Sequence, residues 1–433
     1  MNPILEGLRI VEGSAFVAMP LGGMTLAQMG ADVIRFDLIG GGLDYKRWPV
    51  TIDGKRSLFW AGLNRGKRSI AVDFRKPRGQ EILIQLICGP GENSGLFITN
   101  FPARGWLDYE TLKTHREDLV MVNLLGRRDG SSEVDYTVNP QVGFPMITGP
   151  RLWPRPVNHL LPAWDCIAGQ MTAVGLLAAE RHRRLTGNGQ LVKLALKDVA
   201  LATLGHLGYL AEVSVNDVDR AKDGNYLYGG YGRDFGTMED KRVMVVGLTP
   251  SQWTSLCKAT GLGEDLDMLA TKLGLNFKKE GDRFRARRQI SEVLEPWFRT
   301  RTLAEVREVL DQHRVTWSEY RTFRQVVERD PDCSAENPLF GMVDEPGIGS
   351  YLAPGSPFEF SAAMRQPAGP APVPIETTII RSSAGRKPSS AASPIQRARF
   401  SMRAAAAPLK PTMKAGAALT ARPASVVASP DPS

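Results

Sequence analysis

The chain has 433 residues, 42% of them apolar, and a formal net charge of +8. That length allows two domains with sizeable cores, and no apolar run of about 18 residues is present to span a membrane as a helix. The charge excess sits at one end: residues 361–433 carry ten Lys or Arg against two acids, and the preceding residues are balanced at 44 of each. The basic balance therefore describes a tail rather than a nucleic-acid-binding face.

In chain order, Leu8–Val11 reads as a short apolar strand, Pro20–Met29 as a compact helix closed by Gly30, and Ala31–Asp37 as a second strand. The alternation continues through strand Ser69–Phe74, helix Pro77–Ile87, strand Leu96–Asn100, helix Tyr109–Thr114 and strand Leu119–Leu125. A long apolar helix follows Asp165 to about Arg184, then a strand near Leu191–Leu196 and a helix to about Val213. Strands alternating with helices predict an α/β fold with a parallel, helix-covered sheet. From about residue 222 the texture changes to a Gly-rich loop, a strand Arg242–Gly247 and helices near Ser251–Thr260, Ala286–Arg299 and Leu303–His313. The expected organisation is a large domain over 1–221, a small domain over 222–325 and an irregular return segment over 326–360. A disordered Ala/Pro/Ser/Arg-rich tail is expected over 361–433.

Several chemistries lack their motifs. The first βα turn, Glu12–Gly13–Ser14–Ala15–Phe16–Val17–Ala18, has no GxGxxG, which argues against a dinucleotide site. The five histidines form no HxH or HExxH pattern, and Cys88, Cys166, Cys257 and Cys333 form no CxxC pair, so no metal centre is expected. Scattered thiols and an N-terminus without a basic region followed by a long apolar stretch suit a cytoplasmic location.

What remains is a short set of candidates. Asp165 stands in Leu161–Pro162–Ala163–Trp164–Asp165 at the mouth of the long helix; taken alone, such a carboxylate reads first as an N-cap. Gly229–Gly230–Tyr231–Gly232 is either a flexible turn or a loop whose backbone N–H groups approach a ligand and stabilise an oxyanion. Lys67, among the cations before a strand, could hold phosphate or be solvated. Asn100 and Arg104 follow a strand at the carboxyl edge, where open parallel sheets bind ligands.

The ordered set Leu5–Glu6–Gly7–Leu8–Arg9–Ile10–Val11, Gly30–Ala31–Asp32–Val33–Ile34–Arg35, Asn64 to Ile70, Asn100–Phe101, Leu107–Asp108–Tyr109–Glu110–Thr111–Leu112, Asp165 and Tyr228–Gly229 resembles a family III coenzyme A transferase over about residues 5–360. The resemblance implies a large Rossmann-like parallel-sheet domain, a smaller α+β domain and a homodimer of interlocked rings. It implies Asp165 as covalent nucleophile, CoA contacts at Phe16, Ala18, Lys67, Asn100 and Arg104, and no permanently bound cofactor, since coenzyme A arrives as part of an acyl-CoA substrate. Val17 departs from the Gln that formyl and oxalyl transferases carry. Further matches, among them Gly42–Leu43–Asp44–Tyr45–Lys46–Arg47–Trp48–Pro49 and Val134–Asp135–Tyr136–Thr137–Val138–Asn139, resemble a branch of the family that moves CoA within one molecule. They imply transfer from carbon 1 to carbon 4 of mesaconyl-CoA. The rivals are an intermolecular transferase with a separate dicarboxylate acceptor, and an α-methylacyl-CoA racemase using His159 as a base. A third is a non-catalytic protein that binds nucleic acid through its tail, which the balanced body opposes.

Overall fold

Short runs rich in Ile, Val, Leu and Phe become the strands of one parallel sheet in the computed structural model, which describes residues 2–373. The strands β1 (Arg9–Gly13), β2 (Asp32–Asp37), β3 (Arg68–Ala71), β4 (Leu96–Thr99), β5 (Val120–Leu125) and β6 (Gln190–Ala195) lie in the order β3-β2-β1-β4-β5-β6. Both faces are covered, so central strands carry unbroken apolar runs; Leu96, Phe97 and Ile98 of β4 are all fully buried. The connections carry α1 (Ala18–Gln28), α2 (Leu58–Leu63), α3 (Pro77–Ile87), α4 (Tyr109–Lys113), α5 (Asp135–Gln141), α6 (Phe144–Ile147), α7 (Ala163–Thr186), α8 (Leu196–His206) and α9 (Tyr209–Asn216). One face packs Ile10, Val33 and Val122 under Met19, Leu176 and Val199 of α1, α7 and α8. The other packs Phe36, Phe97 and Met121 under Leu83, Ile87 and Leu112 of α3 and α4.

The chain then builds a second core. β7 (Gly232–Gly236), β8 (Arg242–Val246) and β9 (Thr316–Glu319) form an antiparallel sheet. It is covered by α10 (Pro250–Thr260), α11 (Gly263–Leu273), α12 (Glu280–Arg285), α13 (Arg287–Arg299) and α14 (Leu303–Gln312). Tyr231, Phe235, Val245, Trp253, Ile290 and Phe298 fill the space between. The fold is thus α/β, with a large parallel sheet and smaller antiparallel ones.

Three regions differ from the sequence reading. Gly232 opens strand β7 instead of ending a loop. The return segment is more regular than its Pro and Gly content suggests: α15 (Phe323–Arg329) precedes an antiparallel hairpin of β10 (Phe340–Glu345) and β11 (Gly349–Pro354). The first residues of the expected tail are tied to the body. Pro370 O accepts from Gly66 N (3.1 Å), Pro372 O accepts from Trp60 Nε1 (3.1 Å), and Ala371 N donates to the Glu345 carboxylate (3.1 Å). Ala371 is buried against Trp60 and Ala61, which offsets the ordering entropy that composition alone leaves unmet. The rest of the expected tail, 374–433, lies outside the described residues.

Helix α7 runs for 24 residues because its Ala- and Leu-rich sequence buries a continuous stripe, Trp164, Ala168, Thr172, Leu176 and Ala179. Gly187 ends it in the left-handed region, at φ 77°. Its first turns lie hard against α1. A Cβ on Gly169 would stand 2.7 Å from the Ala18 carbonyl oxygen, and one on Gly22 would stand 2.8 Å from the Gly169 carbonyl oxygen. No side chain fits there, so the two helices approach to backbone contact. Gly169→Ala is expected to lower stability by about 1–3 kcal/mol in urea unfolding, as overpacking does. Gly175→Ala, whose Cβ would make ordinary 3.6 Å contact with Val192, is the control and is expected to be neutral or stabilising.

Candidate active site

The strand order reverses direction between β1 and β4, and open α/β sheets bind ligands in the crevice at the carboxyl ends of such a pair. The turn after β1 and Asn100 after β4 meet there. Ala15 N donates to Asn100 Oδ1 (3.0 Å), and Asn100 Nδ2 donates to Ala15 O (2.8 Å). Phe16 sits at φ 71°, a conformation a bulky residue adopts only when its surroundings compel it. The compelling group is Asp44, whose Oδ2 accepts from Phe16 N (3.0 Å) while its Oδ1 accepts from Arg35 (2.7 Å). Phe16 is left 39% exposed at the crevice.

Arg35 anchors this arrangement from inside. Its guanidinium is fully buried and also donates to Asp37 (3.0 Å), Asn64 Oδ1 (3.1 Å) and Ser14 O (2.9 Å), with Trp60 beneath it at 4.3 Å. Burial works against the charge, but Asp37, Asp44 and Glu12 hold the Arg35 pKa above its ordinary value. Burial likewise raises Asp37, against the pull of Arg35.

Lys67 belongs to the same cluster, which corrects its expected role as a CoA contact. Its ammonium donates to Glu12 Oε1 (2.8 Å), Pro20 O (2.8 Å) and Asn64 Oδ1 (3.0 Å), so all three donors of the group are spent inside the protein. Burial pulls its pKa down to about 8, with Glu12 opposing. The other expected contacts divide. Ala18 is buried and offers a ligand only backbone; both ends of the Asn100 amide are engaged in bracing the turn; Arg104 is exposed, with no side-chain hydrogen bond or ion pair among the described residues.

Asp165 occupies the first turn of α7, half-buried, one turn before the Gly169 that touches Ala18. That contact sets Asp165 beside the Phe16–Ala18 turn. Its carboxylate does not cap its own helix. The cap is supplied by Asp135 of α5, a residue to which the sequence reading gave no role: Asp135 Oδ2 accepts from Trp164 N (2.8 Å) and Asp165 N (3.1 Å). Asp135 is buried, and its Oδ1 has no partner. Burial, then the Asp135 charge, push the Asp165 pKa up to about 7, while the Arg47 charge pulls the other way. At neutral pH the Asp165 carboxylate is therefore poised near its midpoint. The Arg47 guanidinium lies 5.4 Å from the Phe16 ring and 5.3 Å from the Phe59 ring. His159 packs against Trp164 at 6.2 Å between ring centres.

The glycine loop is set differently from the expectation. Gly229, at φ 78°, faces open space, but Gly230 lies against Leu248 and Glu280, and Tyr231 is fully buried with its hydroxyl 3.1 Å from Ser291 Oγ. No hydrogen bond joins this loop to Asp165. A surface hollow of about 490 Å³ is lined by Arg151, Asp223, Tyr226, Arg233 and Arg288 and shares no residue with the crevice. Of its cations, Arg233 and Arg288 are paired with Glu295 and Asp223. Among the described residues no helix is long and apolar enough to cross a membrane.

Residues 5–375 match the family model for CoA-transferase family III. The chain is 70% identical over 372 residues to a 2-methylfumaryl-CoA isomerase of Chloroflexus aurantiacus, covering 86% of this chain and 91% of that one. It is 26% identical over 387 residues to a succinyl-CoA:mesaconate CoA-transferase of Haloarcula hispanica, covering 85% and 93%. A crystal structure of a CaiB/BaiF family protein from Brucella suis shares the fold, with a TM-score of 0.70 at 23% identity over 86% of this chain and 97% of that one.

A nucleophilic carboxylate works only when ionised, so a raised pKa removes activity as pH falls. Turnover is expected to rise with pH through about 7 and level off above it. Asp135→Asn keeps the capping oxygen but removes the neighbouring charge, and should move the inflection to lower pH. An unmoved inflection in rate profiles over pH 5–9 would remove Asp135 from the electrostatics of the site.

Proposed function

This chain belongs to CoA-transferase family III, and on that premise we propose that it moves coenzyme A from carbon 1 to carbon 4 of mesaconyl-CoA (2-methylfumaryl-CoA), a CoA transferase acting as an isomerase. The observation that carries the reading is Asp165, a half-buried carboxylate beside the switch-point crevice, freed from capping by Asp135. The 70% identity to a 2-methylfumaryl-CoA isomerase supports the choice of substrate.

A carboxylate nucleophile gives the chemistry a defined order. Asp165 attacks the carbon-1 thioester carbonyl, and the tetrahedral oxyanion collapses to an aspartyl–mesaconyl anhydride and CoA thiolate. The thiolate attacks the aspartyl carbonyl, giving an aspartyl-CoA thioester and free mesaconate. The carbon-4 carboxylate of mesaconate then attacks that thioester, the anhydride re-forms with the acyl group joined through carbon 4, and the returning thiolate attacks carbon 4 and releases Asp165. CoA lies along the Phe16–Ala18 turn that Asn100 braces, with Arg104 available to its phosphates, and the open Gly229 end of the glycine loop gives an oxyanion donor. No resident cofactor is needed, because coenzyme A enters with the substrate. The enzyme works as a homodimer: α9 buries none of its residues within this chain, and Leu207, Leu210, Val213 and Val215 stand exposed. Four free thiols suit a cytoplasmic setting.

Two measurements test this. Purified protein given mesaconyl-1-CoA alone should produce a second regioisomer on chromatography, and Asp165→Asn should lower that rate by orders of magnitude; retention of more than about a tenth would sink the nucleophile. Turnover in excess carbon-13-labelled free mesaconate should yield unlabelled product. Substantial label would instead favour transfer to a separate dicarboxylate, as the name of the Haloarcula relative describes for that protein.

A further inference from the structure

In the proposed reaction a dicarboxylate stays in the site while one of its ends is covalently engaged, so the other end must be held by something. Among the described residues Arg47 is a cation without a partner on the Phe16 side of the crevice, and its charge reaches Asp165. Arg47 is exposed, and its side chain has no hydrogen-bonded or ion-paired partner among the described residues. The acids around it are committed elsewhere: both oxygens of Asp44 are taken by Arg35 and Phe16 N, and Asp135 caps α7. The segment that carries the guanidinium is nevertheless fixed. Its backbone is held on both sides, by Arg47 N donating to Asp44 O (3.1 Å) and by the Ser57 hydroxyl donating to Arg47 O. The rings of Phe16 and Phe59 stand 5.4 Å and 5.3 Å from the guanidinium. Phe16 in turn precedes the Ala18 that contacts the turn of α7 after Asp165. A planar, permanently charged fork with its donors free, on a fixed segment and with its charge reaching the acylated residue, matches a carboxylate in shape and charge.

We infer that Arg47 is the specificity-determining clamp for the free carboxylate of the substrate: it holds carbon 4 while carbon 1 is joined to Asp165, and carbon 1 after the two ends exchange. This rests on the dicarboxylyl-CoA reading above. It gives the site a preference for acyl-CoA substrates with a second carboxylate, and it keeps the released acid from leaving before the second half of the reaction.

The test is a ratio. Mesaconyl-CoA and crotonyl-CoA, which lacks the second carboxylate, are each given to the enzyme, and the rate at which Asp165 becomes modified is followed by mass spectrometry. Arg47→Met should lower the preference for mesaconyl-CoA over crotonyl-CoA by roughly 10-fold or more, as expected when a charge-assisted, hydrogen-bonded partner of the carboxylate is removed. Arg47→Lys, which keeps the charge and loses the fork, should retain an intermediate preference. A preference unchanged in Arg47→Met overturns the clamp, whatever happens to the absolute rates, and so does an equal loss on both substrates. Should Arg47→Met not fold, Arg47→Gln reads the same ratio. The isomerase reading fails separately: wild-type enzyme would then modify Asp165 with mesaconyl-CoA yet form no second regioisomer, and the substrate ratio would still report on Arg47.

Discussion

A guanidinium taken wholly out of water needs acceptors on every side, and Arg35 finds them on Ser14, Asp37, Asp44 and Asn64. These come from the turn after β1, the end of β2, the loop that follows it and the end of α2. One cation therefore joins four segments that sequence distance keeps apart. Removing a partner from such a cluster leaves a buried charge uncompensated, which costs about 3–5 kcal/mol. The site is assembled at its edge: Asp44 passes the constraint to Phe16, and Asn64 passes it to Lys67 and Glu12. The strained backbone of Phe16 and the fixed position of Arg47 both follow from how Arg35 is satisfied.

The parallel sheet was legible because its central strands carry short unbroken apolar runs, and α7 because its apolar stripe is long. The short helices α2, α5 and α6 carry too few turns to show a period. The role of Lys67 was not legible: a lysine between Arg65 and Arg68 before a strand reads as solvated or phosphate-binding, and only the tertiary fold turns it inward. Asp135 escaped notice for a related reason. It caps a helix 28 residues further on, from Asp135 to Ala163, and capping is ordinarily sought beside the helix that needs it. Residue chemistry alone made Asp165 a cap; resemblance made it a nucleophile. The structure separates the two roles by giving the first to Asp135. Gly230–Gly232 illustrates the reverse, since glycines that suggest a mobile loop partly serve close packing against Leu248 and Val245.

Placing two carboxylates around one helix start sets a balance in the chemistry. Burial and the Asp135 charge raise the Asp165 pKa, which strengthens it as a nucleophile and lessens the fraction ionised at neutral pH. Arg47 moves that balance back toward the carboxylate. In the proposed reaction the same three groups govern how readily the anhydride forms and how well its aspartyl half leaves.

The two ends of the described body meet: Met364 N donates to Asn2 O (3.2 Å), and the stretch through Pro372 seals the indole of Trp60. Trp60 and its acceptor are 312 residues apart. On a ribosome adding about 5–20 residues per second, roughly 15–60 s pass between the synthesis of the two. Throughout that interval the Trp60–Ala61 patch beside the Arg35 cluster lacks the cover that Ala371 and Pro372 give it. Cover for this patch thereby waits until residues 370–372 have been made, and a chain stalled before residue 370 leaves the Trp60–Ala61 surface bare.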